Sequence, residues 1–123
     1  MRIGVCGPAG SARAQLICWM EQYCEVYGCK PVIAPYTCVQ ELLSAMSLLR
    51  FDLVFLSLDG PEGFLSARKL REKSPEVKLV LLTDTPRYAV MGVRIHLTDY
   101  IVKPAQFKHV VRALKLAGVG RGG

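Results

Sequence analysis

The chain has 123 residues, 51% of them hydrophobic and 21% charged, with a formal net charge of +6. That size and balance fit one globular domain that carries its own core, and they exclude a disordered segment or a miniprotein that needs staples. No apolar run approaches the roughly 18 residues needed to cross a bilayer, and Arg2 leads straight into a strand-like run with no secretion signal, so a cytoplasmic protein with no membrane partner is expected.

In chain order, the first strand is expected over Arg2–Cys6 and a helix over Ala12–Tyr27, with Leu16, Trp19, Met20 and Tyr23 on one stripe and Ser11 as its N-cap. A second strand is expected over Pro31–Tyr36, and Thr37-Cys38-Val39-Gln40 reads as a capping box that opens a helix to about Leu49. A third strand covers Asp52–Leu58, and a third helix Gly63–Lys73, with Phe64, Ala67, Leu70 and Arg71 at helical offsets. Lys78–Thr83 is the fourth strand, Arg87–Val93 a short helix after Pro86, Tyr100–Val102 the fifth strand, and Gln106–Ala117 a final helix with Phe107, Val110, Val111 and Leu114 on one face. The strand runs are nearly continuous in apolar residues, as expected for strands covered on both faces of a parallel sheet.

This alternation predicts a single α/β domain over residues 1–117, a (βα)5 doubly wound five-stranded parallel sheet of the flavodoxin-like kind. Residues 118–123 read as a glycine-rich tail or linker. Ligands of such sheets bind beyond the carboxyl ends of the strands, which directs attention to Cys6-Gly7, Ser57-Leu58-Asp59, Thr83-Asp84 and Lys103-Pro104.

The five cysteines, Cys6, Cys18, Cys24, Cys29 and Cys38, are odd in number and include no C-x-x-C pair. Neither His96 nor His109 stands at metal-ligand spacing from any of them, so no metal, no cofactor and no disulfide framework is expected, and the cysteines read as small buried hydrophobes. The basic residues Arg68, Lys69, Arg71 and Lys73, and the later series Lys108, Arg112 and Lys115, read as solvated helix faces. No aromatic residues interleave with them to stack on bases, and direct nucleic-acid binding is not expected.

The four strand ends resemble those of response-regulator receiver domains, the CheY-like family. Asp99-Tyr100-Ile101-Val102-Lys103-Pro104 is similar to that family's aromatic-x-x-Lys-Pro ending of the fifth strand, Leu81-Leu82-Thr83 to the end of its fourth, and Asp52-Leu53-Val54-Phe55-Leu56 to the run before its phosphorylated aspartate. The stretch from Tyr88-Ala89-Val90 to His96-Leu97-Thr98-Asp99-Tyr100 is most similar to receivers that precede a LytTR-type DNA-binding domain. Carried over by this resemblance, Thr83 is the hydroxyl residue and Lys103 the lysine that bind phosphoryl oxygens, and Tyr100 with Thr83 is the switch pair. The acidic residues that bind Mg²⁺ are replaced by Cys6 and Gly7, the phosphoacceptor by Ser57, and the loop after Ser57 is shorter than the family's.

These replacements remove the chemistry. Magnesium is a hard cation that takes oxygen ligands, whereas Cys6 offers a soft sulfur and Gly7 only backbone. Ser57 is a neutral hydroxyl with no base at hand, and phosphoryl transfer depends on positioning and charge stabilisation that this site lacks. Asp84, where the family places something small, would repel a phosphoryl group. Either Asp84 or Asp59 could pair with Lys103, and Asp59, two residues past Ser57, would share its face if the strand continued and could serve as a displaced acceptor.

The resemblance thus implies a non-enzymatic receiver of bacterial two-component signal transduction and transcription regulation that works through protein contacts without phosphorylation. It implies dimerisation or partner binding on the face of the fourth helix, fifth strand and fifth helix, with Arg87, Val90, Tyr100, Lys108 and Arg112 as candidates, and a C-terminal DNA-binding domain in the parent regulator. The alternative is a small-ligand or nucleotide-binding domain that uses the Gly7–Ser11 turn at the first helix N-terminus, where free N–H groups favour anions.

Overall fold

The computed structural model describes residues 1–120. Strands β1 (Arg2–Cys6), β2 (Val32–Tyr36), β3 (Leu53–Ser57), β4 (Lys78–Thr83) and β5 (Asp99–Val102) form one sheet in the order β2-β1-β3-β4-β5. All four pairings are parallel. Helices α1 (Ser11–Tyr27), α2 (Val39–Leu48), α3 (Gly60–Lys73), α4 (Ala89–Arg94) and α5 (Phe107–Leu116) alternate with the strands. This is the doubly wound (βα)5 architecture that the alternation predicts. Among the described residues, no helix is long and apolar enough to cross a membrane.

Successive strand residues face opposite sides of the sheet, and helices cover both. Ile3, Val5, Phe55, Leu82 and Ile101 pack with Leu16, Met20, Val110 and Leu114 of α1 and α5. Cys6, Val54, Leu56 and Leu81 pack with Leu42, Ala67 and Leu70 of α2 and α3. Double coverage explains the unbroken apolar runs of β1, β3 and β4. It does not extend to the edge strands β2 and β5, which are only part-buried. Of the cysteines, Cys6 and Cys24 are buried, Cys29 and Cys38 half-buried, and Cys18 exposed, so the expectation of small core hydrophobes holds for two and fails for Cys18.

Several element boundaries differ from expectation for local reasons. Gly10, not Ser11, is the N-cap of α1, and no side chain caps it. Cys38 in extended backbone caps α2, so the box expected at Thr37 does not form. Helix α3 starts at Gly60, ahead of the expected Gly63, because Pro61 suits a first turn where its missing N–H costs nothing. Gly63 instead lies where α3 presses on the preceding loop, since a Cβ there would come within 2.2 Å of the Leu58 carbonyl oxygen. Helix α4 starts at Ala89, later than Arg87, whose N–H donates to the Thr85 hydroxyl and belongs to a turn. Gln106 and His109 cap α5 reciprocally, a role that the apolar stripe did not reveal.

The packed chain continues past the expected boundary at 117. Val119 is 1% exposed, and its carbonyl accepts the Tyr23 hydroxyl at 2.7 Å. A hydrophobic side chain within the glycine run thus joins the core beside α1. Residues 121–123 of the expected tail lie outside the described residues.

Arg71 departs most from its expected role as part of a solvated basic face. Its half-buried guanidinium donates to the carbonyls of Ile95 (2.8 Å), Ser74 (3.2 Å), Pro75 (3.1 Å), Val77 and His96 (3.1 Å). It thereby ties the end of α3 to the α4–β5 turn, where His96 has a φ of 59°. Burial lowers its pKa, but it stays charged, and a planar fork is the side chain suited to several fixed carbonyls at once. Arg71→Ala should cost about 2–3 kcal/mol in urea unfolding, because several acceptors lose a charged donor together. Arg71→Lys should recover only a minor part, because an ammonium cannot span the set.

Candidate functional site

The carboxyl ends of β1, β3, β4 and β5 lie along one edge of the sheet. Just past β1, Gly7 is pressed onto the end of β3: a Cβ built there would lie 2.8 Å from the Ser57 carbonyl oxygen and 3.1 Å from the Ser57 Cβ. Only glycine permits that approach. The Gly7 N–H donates to the Tyr36 carbonyl at 2.9 Å. Arg13 of α1 reaches back to the Gly7 carbonyl at 3.2 Å and to the Thr37 hydroxyl at 3.4 Å. Sequence reading assigned Arg13 no role, and a contact that closes a loop onto another strand leaves no local signal.

Cys6 is wholly buried and belongs to the core against α2 and α3. Burial, reinforced by Cys38 and Glu41, pushes its thiol up to about 11, with only Arg13 acting the other way. Near neutral pH it is an uncharged core group. Ser57 is half-buried and lines a cleft of about 370 Å³ with Lys103, Leu16, Trp19 and Pro104. Trp19, expected only as a core-stripe residue, is therefore a wall of this cleft. No histidine lines it.

Lys103 pairs with Asp59 at 2.9 Å, the two side chains being 31% and 57% exposed. A pair this exposed contributes about 0–1 kcal/mol, so its importance lies in where it holds the charges. Asp59 is the N-cap residue of α3. Strand β3 stops at Ser57, so the condition under which Asp59 would share the face of Ser57, a strand continuing to it, is not met. Asp84 takes no part in pairing Lys103 directly: its carboxylate accepts the Gly60 N–H at 3.0 Å and the Thr83 hydroxyl at 3.4 Å. The Gly60 N–H is the main reason its carboxyl is held below the usual carboxylate range. Thr83 is fully buried. The residues selected from sequence thus gather into two groups, Ser57 with Lys103 and Asp59, and Thr83 with Asp84, whose carboxylate also accepts the Gly60 N–H. Cys6 is turned into the core.

Tyr100 is half-buried, and its hydroxyl donates to the Thr85 carbonyl in the β4–α4 loop. Burial raises its pKa. Of the other candidate contact residues, Val90 is 74% exposed, Arg87 lies over the Tyr88 ring at 6.0 Å, and Lys108 is exposed. Arg112 is already engaged within the chain, donating to both oxygens of Asp99 at 2.8 and 3.2 Å. Among the described residues, no three His, Cys, Asp or Glu side chains gather as a metal-binding group.

The architecture defines the class: this is the CheY-like receiver fold of response regulators. The whole chain superposes on the whole of the response regulatory domain of protein mrkE from Klebsiella pneumoniae, with a TM-score of 0.80 at 18% identity. Among curated proteins, the chain is 30% identical over 86 residues to the sensory transduction protein LytT of Bacillus cereus, a match covering 68% of this chain and 35% of LytT. It is 32% identical over 92 residues to the photosynthetic apparatus regulatory protein RegA of Rhodovulum sulfidophilum, covering 73% of this chain and 50% of RegA. The chain thus spans at most about half the length of these relatives. No family model matches it.

Two measurements probe this edge. Gly7→Asp should lower the thermal midpoint, and added Mg²⁺ should not restore it, because the new side chain meets the Ser57 backbone before it can meet a metal. For Asp84, a folded-state pKa below the unfolded one contributes stability above the unfolded carboxylate pKa, which is lost as pH falls through the folded value. Asp84→Asn should accordingly be less stable than the parent at neutral pH, and acid titration of the two midpoints should bring them together.

Proposed function

We propose that this chain is the receiver module of a transcription regulator and that it signals through protein contacts, without accepting a phosphoryl group. The observation that carries this reading is the close packing of Gly7 on the Ser57 carbonyl. In receivers that take up phosphate, a carboxylate at each of these two places would grip Mg²⁺; here, one place has no room for a side chain and the other holds a hydroxyl. Lys103, the remaining cation of the pocket, is paired with Asp59. Asp59 is no substitute acceptor, since a metal there would need further anionic ligands and Cys6 is neutral and buried. By analogy with the regulators it resembles, the module would precede a DNA-binding domain and perform no reaction of its own.

The contact face would be α4, β5 and α5. Val90, Val93 and Val102 are 74%, 73% and 39% exposed on these elements, with Arg87 and Lys108 at their margin. Tyr100 contributes from beneath, through its bond to the β4–α4 loop. The alternative ligand site on the Gly7–Ser11 turn loses support from the geometry, because the Gly7 N–H that an anion would need is donated to Tyr36.

Acetyl phosphate or beryllofluoride with Mg²⁺ should produce no mass increase and no change in the fluorescence of Trp19, the chain's one tryptophan, beside the cleft. A Mg²⁺-dependent adduct would overturn the reading, and Ser57→Asp alone should not create one. Sedimentation over a range of concentrations should show reversible self-association that Val90→Glu weakens by about tenfold, or about 1.4 kcal/mol. A strictly monomeric chain would remove the self-association part.

A further inference from the structure

At the other end of α1, opposite the carboxyl edge, the helix closes in a left-handed glycine turn. Gly28 is left-handed, with a φ of 70°, and both its N–H and that of Cys29, at 3.0 Å, donate to the Cys24 carbonyl. This turn characteristically brings the side chains of its first and last residues into contact. Here both residues are cysteines. The Cys29 thiol lies 3.8 Å from the Cys24 carbonyl oxygen, and both cysteines line one cleft. The spacing, with four residues between them, is not that of a C-x-x-C motif, and the sequence reading gave the pair no role.

We propose that Cys24 and Cys29 form a dithiol site that is oxidised to an intramolecular disulfide by a small disulfide such as oxidised glutathione. The site is reachable. Cys29 is half-buried and lines a cleft of about 440 Å³ together with Cys24, Ile17, Glu21 and Pro31. Cys24 is 5% exposed, and burial with its neighbour Cys29 pushes its thiol up to about 12. The order of events follows. Cys29, as its thiolate, attacks the small disulfide, forms a mixed disulfide and expels one small thiolate, which takes up a proton. Cys24 then loses its proton and attacks the Cys29 sulfur, which expels the second small thiol. Two protein thiols are oxidised by two electrons, and one small disulfide is reduced to two thiols. The second step is the slower, because it needs the less acidic and more buried sulfur.

The location gives the chemistry a structural target. A second cleft, of about 330 Å³, is lined by Cys29, Tyr27, Gly118, Val119 and Gly120. The dithiol therefore borders residues 118–120, far from Ser57 and Lys103, and its chemistry is independent of whether the pocket takes phosphate.

The test is to incubate the whole chain with oxidised glutathione, block remaining thiols by alkylation, and cleave after glutamate. Cleavage after Glu25 separates the two cysteines unless a disulfide joins them, cleavage after Glu21 removes Cys18, and fragmentation of the Val26–Glu41 peptide in the mass spectrometer distinguishes Cys29 from Cys38, which it also carries. The expected product is a joined Cys24–Cys29 peptide pair, two hydrogens lighter than its parts. Cys24→Ser should instead accumulate glutathione on Cys29, and Cys29→Ser should leave Cys24 as an alkylated thiol. Glutathione on Cys18 and Cys38 with Cys24 and Cys29 unjoined would overturn the proposal, as would glutathione on Cys24 in Cys29→Ser. If either variant does not fold, the digest of the parent chain decides alone.

Discussion

At the carboxyl edge of the sheet, Gly7 rests directly on the Ser57 carbonyl at the end of β3. A side chain at residue 7 would begin 2.8 Å from that oxygen, so the β1–α1 turn can settle on β3 only through glycine. Once it is there, Arg13 can reach the Gly7 carbonyl, and α1 lies along the sheet with Leu16, Met20 and Tyr23 in the core. The same contact leaves no room for a side chain at residue 7 beside Ser57.

The charges at this edge satisfy each other. Lys103 meets Asp59, and Asp84 meets the first N–H of α3 at Gly60. Both interactions hold the start of α3, one through its N-cap residue and one through its first helical residue. In a pocket that receives a dianion, the lysine and the hydroxyl would be left for the ligand. Here Lys103 has a resident partner, and the Thr83 hydroxyl is turned to Asp84. These are weak contacts singly. Their effect is to place each polar group at this edge.

On the far side of α3, Arg71 performs a comparable closure with one side chain. It gathers carbonyls from the ends of α3 and α4 around the left-handed His96, next to the β5 residues that carry Tyr100. The α4–β5 segment is short and has few buried side chains of its own, so its position depends on this clamp and on the bond from Tyr100 to Thr85. The amino edge is closed differently, by Val119 and the Tyr23 hydroxyl, so Val119 packs with the core.

Hydrophobic period and turn residues were enough to reveal the alternation of strands and helices, the doubly wound parallel sheet and the strand ends at which the site stands. Those features follow from which side chains avoid water, and this is written along the chain. Ser57, Thr83 and Lys103 were legible as strand-end residues for the same reason, since each ends an apolar run. What the chain could not state is which atoms meet across it. That Asp59 rather than Asp84 takes Lys103, that Gly7 rests on Ser57, that Arg71 serves five carbonyls instead of solvent, and that Cys24 and Cys29 share a turn were all decided by tertiary structure. Hydrogen bonds and close packing depend on distances between segments remote in sequence, and no local pattern of residues encodes those distances.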